Sequence, residues 1–206
     1  MSAEKQYIDF YQEVRETIAA RSCAEMNAQR EAAFETFSSQ GFPSQKVERY
    51  RYTKVEADFS PNYGIALTPL AGQLPPYCFR LADADPHARV LYNKVADKSD
   101  SVVALNTMLC VDTLVVHVPQ GTRVEHPIQI SNILKGEQDT MVSRRILIVM
   151  EESTEANIII TDRAASQSRF LTNQVIEVVM GNDMKRSGKR FLLRFTCSFK
   201  RFVGTL

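Results

Sequence analysis

One pattern returns along the second half of the chain, and it constrains the fold more than any other feature. Val118-Pro119-Gln120-Gly121-Thr122-Arg123-Val124 reads apolar, polar turn, apolar. Met150-Glu151-Glu152-Ser153-Thr154-Glu155-Ala156 repeats it 32 residues later, and Val179-Met180-Gly181-Asn182-Asp183 begins it again. The flanking segments are strand-like. Leu114, Val116 and Val118 alternate with Val115 and His117, while Ile146-Leu147-Ile148-Val149-Met150 and residues 157–161 are β-branched runs. Short strands, tight polar turns and a period near 30 predict a β-solenoid, in which each coil pairs with the next through backbone bonds. A β-sandwich with irregular hairpins would write much the same text.

Four regions organise the 206 residues. Residues 1–57 form an N-terminal helical region, where Tyr7, Phe10, Tyr11, Val14 and Ile18 recur at helical spacing. Met26, Arg30, Ala33, Phe34 and Phe37 do the same. Ser22 with Glu25 three residues on suits a capping box for the second helix, and Gly41 followed by Pro43 suits its stop. Residues 58–89 are a connector holding the prolines at 61, 69, 75, 76 and 86, which deny a ladder its donors. Residues 90–183 are the β-rich core. Residues 184–206 are a basic tail expected to lie outside the fold.

The tail also breaks the charge balance. The whole chain is at +1, but from Gly181 onward seven Lys and Arg stand against Asp183 alone, giving +6, and residues 1–180 carry −5. A basic tail contacting nucleic acid or anionic lipid is one reading, which would make the chain a small β-rich binding module. A tail unrelated to the fold is the other, and with near-neutral total charge no nucleic acid or membrane partner is then expected. The opening MSAEKQYIDFYQEV is acidic and amphipathic, unlike a signal peptide. Cys23, Cys78, Cys110 and Cys197 lie far apart with no CxxC pair, as reduced structural thiols of a cytoplasmic protein do.

Catalytic signals are sparse. The sequence has no Gly-rich phosphate loop, no nucleophile elbow and no His/Cys cluster at metal spacing. No enzymatic activity, catalytic residue or metal ligand is therefore expected. His87 sits in a polar Asp-Pro-His connector, His117 on a strand and His126 in a Glu-His-Pro turn. Cys110 reads as a small core residue rather than a thiolate ligand. Glu151, Glu152 and Glu155 read as a solvated turn, and Arg144-Arg145 as a charged surface edge that discourages stray pairing.

Several of these segments, taken in order, resemble the SufB/SufD family of iron–sulfur cluster assembly proteins, and its SufD branch in particular. Arg30, Phe34 and Phe37, then Gly41-Phe42-Pro43, then Glu48-Arg49-Tyr50-Arg51-Tyr52-Thr53 match the family's opening, with Tyr50 where a Trp is usual. Leu105-Asn106-Thr107, Asp112 and Val116-His117-Val118-Pro119-Gln120-Gly121 match its entry into a β-helix. Pro127-Ile128, Arg145-Ile146-Leu147-Ile148-Val149 and Thr172-Asn173 continue the match, which covers roughly residues 25–183.

The resemblance implies N-terminal helices followed by a partial right-handed parallel β-helix. It implies a scaffold subunit that pairs with a SufB-like partner through that β-helix. A SufC-like ATPase would dock only on a C-terminal helical domain. No cofactor is expected on this chain alone, the iron–sulfur cluster being handled by the assembled complex. Family members run substantially longer, so the resemblance further implies an incomplete form whose tail is unrelated or frameshifted. No catalytic or metal residue transfers to this sequence, His117 included.

Overall fold

The computed structural model describes residues 3–181, together with the backbone of residues 191–197 and 203–205. Its first layer is helical. α1 (Ala3–Arg21) buries Tyr7, Tyr11 and Ile18, and is followed by α2 (Ala24–Asn27) and α3 (Arg30–Gln40). α3 ends where the sequence predicts. Gly41 takes φ 63° and its N–H closes on the Phe37 carbonyl. A Cβ there would strain that backbone and meet Glu4 at 3.0 Å. A 3₁₀ turn (Glu48–Tyr50) and α4 (Val55–Phe59) complete an aromatic cluster, with Phe42 stacked on Phe59 at 4.8 Å and edge-on to Tyr7 and Phe37. Ser22 does not cap the second helix as expected. Its hydroxyl donates to the Ile18 and Val111 carbonyls, and α2 begins behind Cys23 without a side-chain cap.

Short elements occupy the connector: β1 (Gly64–Ala66), β2 (Cys78–Arg80), a 3₁₀ turn (Leu81–Asp83) and α5 (Pro86–Arg89). The region read as strand-like then opens with a helix, α6 (Ser101–Leu109), buried at every residue. Ser-Val-Val-Ala-Leu-Asn-Thr-Met-Leu has no polar face, so no 3.6-residue period marks it, and its β-branched residues imitate a strand.

Seven strands follow: β3 (Thr113–Val118), β4 (Ile128–Leu134), β5 (Thr140–Met150), β6 (Ala156–Ala164), β7 (Phe170–Met180), β8 (Phe191–Cys197) and β9 (Val203–Thr205). They alternate between two sheets. The first has the order β2-β3-β5-β7-β9, with β1 also on β5, and the second β4-β6-β8. From β3 onward, parallel partners lie 30 to 35 residues apart, from Thr113 with Arg145 to Ala156 with Phe191. The repeat seen in the sequence is this register, since Val118 pairs with Met150 and Met150 with Met180. β2 runs antiparallel to β3, so the first sheet is mixed.

The expectation of N-terminal helices and a mainly β core holds. What is observed is a curled arrangement of mixed parallel and antiparallel sheet, a coarser result than a right-handed β-helix. The expectation that 184–206 lies outside the fold meets a difference: the backbone at 191–197 pairs with β6 and that at 203–205 with β7. The rest of the tail lies outside the described residues.

Strand alternation sorts the core into layers. Val116, Val118, Ile146, Ile148 and Met150 face inward, against Ile128, Ile130, Ile158 and Ile160 of the second sheet. Val115, Leu147 and Val149 face outward, against Met26, Leu81 and Tyr92. Further along, Met141 and Leu171 meet α6, α1 and α3. The helices thus cover the outer face of the first sheet.

Candidate functional site

Several residues that carry the resemblance, Arg30, Arg49, Tyr50 and Asn106, meet at α6 or at its capping residue. Asp100 caps its N-terminus, one carboxylate oxygen accepting from the Val102 and Val103 N–H groups at 2.8 and 3.3 Å. The other oxygen accepts from Arg49 at 2.6 Å and from the Tyr50 hydroxyl at 2.7 Å. At the opposite end, Arg30 donates to the Thr107 and Met108 carbonyls, both at 2.8 Å, and to that of Cys110 at 2.9 Å. A cation there satisfies carbonyls that the helix leaves open and complements its dipole. Asn106 reaches from the helix to the Arg144 and Asn173 carbonyls, each at 2.9 Å, pinning α6 to β5 and β7.

Arg144 and Arg145 do not form the surface edge expected of them. Adjacent on β5, they enter opposite layers. Arg145 is fully buried against the helices. It donates to Glu177 at 2.9 and 3.0 Å, to Thr107 Oγ1 at 2.8 Å and to Asn93 Oδ1 at 2.6 Å, and it lies over the Tyr92 ring at 4.8 Å. Glu177 also accepts from the Asn93, Val95 and Ala96 N–H groups. Arg144 points between the sheets, where it forks onto Asp162, a residue 1% exposed that also accepts from Asn132 at 2.7 Å.

Two of the three histidines, His117 and His87, lie within electrostatic reach of Glu151. His126 and His87 are exposed. His117 is buried on β3, and its Nε2 donates to Glu151 at 2.7 Å, while the other oxygen of Glu151 accepts from the Gln120 N–H at 2.8 Å. These two contacts hold the Glu151 carboxyl below its usual range, the histidine contributing most. Glu151 therefore ties two successive turns together and is not simply a solvated turn residue. Glu155 pairs with Arg123 at 3.3 Å. Among the described residues no group of three or more His, Cys, Asp and Glu side chains could hold a metal ion, and no helix is long and apolar enough to cross a membrane.

Two grooves mark the surface. One of about 530 Å³ runs from Phe42 and Pro43 past Arg49 and Tyr50 to Asp97 and Asp100. The other, about 510 Å³, lies between β4 and the connector residues 66–75, with Arg144 in its lining.

A sequence profile of the SufBD protein N-terminal region matches residues 1–80 and 80–130. The chain belongs to the SufBD family. That membership associates it with iron–sulfur cluster assembly. No curated protein matches the chain. The matched SufBD region holds Arg30, Arg49, Tyr50, Asp100 and Asn106, all of which help to attach α6. Arg144, Arg145 and Glu177 lie beyond residue 130. Their role was hidden in the sequence because a strand's two faces are both buried here, and nothing local distinguishes a covered arginine from an exposed one.

For a SufBD chain the cluster is cargo, and its ligands would be thiolates. Three thiols are described. Burial pushes the Cys78 thiol up to about 11, and burial is also the main reason that those of Cys23 and Cys110 are raised. Cys110 spends its proton on the Asp112 carbonyl at 2.9 Å. Burial thus favours the protonated thiol at all three positions. The Cys197 side chain lies outside the described residues.

Proposed function

We propose that this SufBD chain is a scaffold subunit of the SufD kind in cytoplasmic iron–sulfur cluster assembly. In this reading β3–β9 are coils of a right-handed parallel β-helix, and a SufB-like subunit associates through it. A SufC-like ATPase enters through a C-terminal helical domain of the sort longer relatives carry, and the assembled complex rather than this chain alone handles the cluster. The observation that carries the reading is the parallel register, recurring at 30 to 35 residues and alternating between two sheets behind the SufBD helical region. Strands stacked so regularly offer backbone edges for pairing with another chain.

The test is co-purification of the chain with tagged SufB-like and SufC-like subunits. Retention of the SufB-like subunit, with little or no SufC-like subunit bound directly, is expected. Direct SufC-like binding with no SufB-like association overturns the reading.

A further inference from the structure

The two sheets differ at their opening edges. In the first, antiparallel β2 closes β3, with Cys78 against Val116 and Arg80 against Leu114. In the second, β4 pairs with β6 alone, and among the described residues no strand takes its outer edge. Edge strands usually carry a lysine, a proline or a bulge that blocks further pairing. Ile-Gln-Ile-Ser-Asn-Ile-Leu carries no charge and no proline, and three of its residues are β-branched. Ile133 is 63% exposed.

The groove of about 510 Å³ runs along this edge. Its far wall is the connector, where Pro69 and Pro75 lack the N–H groups that would let that segment fill the vacancy as a strand. Leu70 and Leu74 give the wall an apolar surface. Arg144 is neutralised by Asp162. That leaves Lys135, immediately after β4, as the one charged lining side chain with no partner among the described residues.

We propose that the β4 edge docks the C-terminal end of a partner protein as an added strand. The occupant is an extended, uncharged, β-branched segment, parallel to β4, whose terminal carboxylate meets Lys135. Two observations set its chemistry. Every pairing in the second sheet is parallel, so a strand continuing it brings its C-terminus to the Lys135 end. The groove offers one unsatisfied cation and otherwise neutral walls, which complement a single anion on a neutral peptide. Backbone bonds to β4 supply affinity, and alternate side chains against Leu70 and Leu74 supply selectivity.

The test is fluorescence anisotropy on the full chain with a labelled heptapeptide, Thr-Ile-Thr-Val-Thr-Ile-Val, bearing a free carboxylate, and with its C-terminally amidated form. Saturable binding of the free acid is expected, at least about fivefold tighter than the amide. Ser131→Lys with Ile133→Lys places charges on exposed positions of the edge and should weaken binding at least about tenfold. Lys135→Glu should abolish the preference for the free acid. Hydrogen exchange on the unmutated protein gives a second readout: peptide should slow the amides of β4 and leave those of β2 unchanged. Absence of saturable binding, indifference to the paired lysines in a folded variant, or protection elsewhere than β4 overturns the proposal. So does self-association that the peptide displaces, which would put a second copy of this chain in the groove.

Discussion

Arg145 and Glu177 form an ion pair with side chains 0% and 1% exposed, and both guanidinium donors reach the same carboxylate oxygen. The pair joins β5 and β7 and is sealed by Asn93 and Thr107 from the helical side. Removing one partner strands the other charge out of water. Arg145→Met or Glu177→Leu alone should cost about 3–5 kcal/mol in urea unfolding, and the double variant clearly less than the sum of the two.

Asp100 gathers four donors at the start of α6. Asp100→Ala removes a helix cap, worth about 0.5–2 kcal/mol, and also takes away the carboxylate to which the Tyr50 hydroxyl donates and one of the two that Arg49 reaches. Tyr50→Phe should cost about 1 kcal/mol in the native protein and almost nothing in the Asp100→Ala background. A double-mutant cycle from denaturant midpoints measures this coupling.

Thiol chemistry should follow burial. At neutral pH, Cys78 and Cys110 are 6% and 1% exposed, and both thiols are raised. Iodoacetamide in the native state should leave both unmodified, and urea should release them together in one cooperative step. Peptide mapping by mass spectrometry reads each site.

The Glu151 carboxyl is held below its ordinary value of 4.5, first by the His117 hydrogen bond and then by the Gln120 N–H. The native state thus binds that proton less readily than the unfolded chain. The resulting stability is present above about pH 4.5 and is lost as pH falls through the lower native value. Glu151→Gln should therefore lower the melting temperature at about pH 6, and the gap to the parent should narrow towards about pH 3.

The sequence exposed the parts of this fold whose pattern is periodic. The return of Val118 at Met150 is a hydrogen-bonded register, and the spacing of Tyr7, Tyr11 and Ile18 is a buried helix face. It concealed α6, because a helix covered on all sides has no alternation to read. It also concealed what Arg30, Arg145 and Glu177 do. Their partners lie 77, 32 and 84 residues away, at Thr107, Glu177 and Asn93. No local rule announces a contact over such separations. Ser22 shows the converse, a good capping signal lost to a competing acceptor at Val111.

The placing of two neighbouring arginines on opposite sides of β5 acts as a proofreading device for strand alignment. Were β5 to slip by a single residue, every side chain would change faces. Slipped one way, Arg144 would take the place beside Glu177 while Arg145 entered the isoleucine-lined interior with no carboxylate; slipped the other way, Arg145 would reach Asp162 while Arg144 entered the outer layer at the place of Ser143. Either way one cation is stranded out of water, so misaligned stacking is penalised in both directions without a distinctive turn to dictate the register.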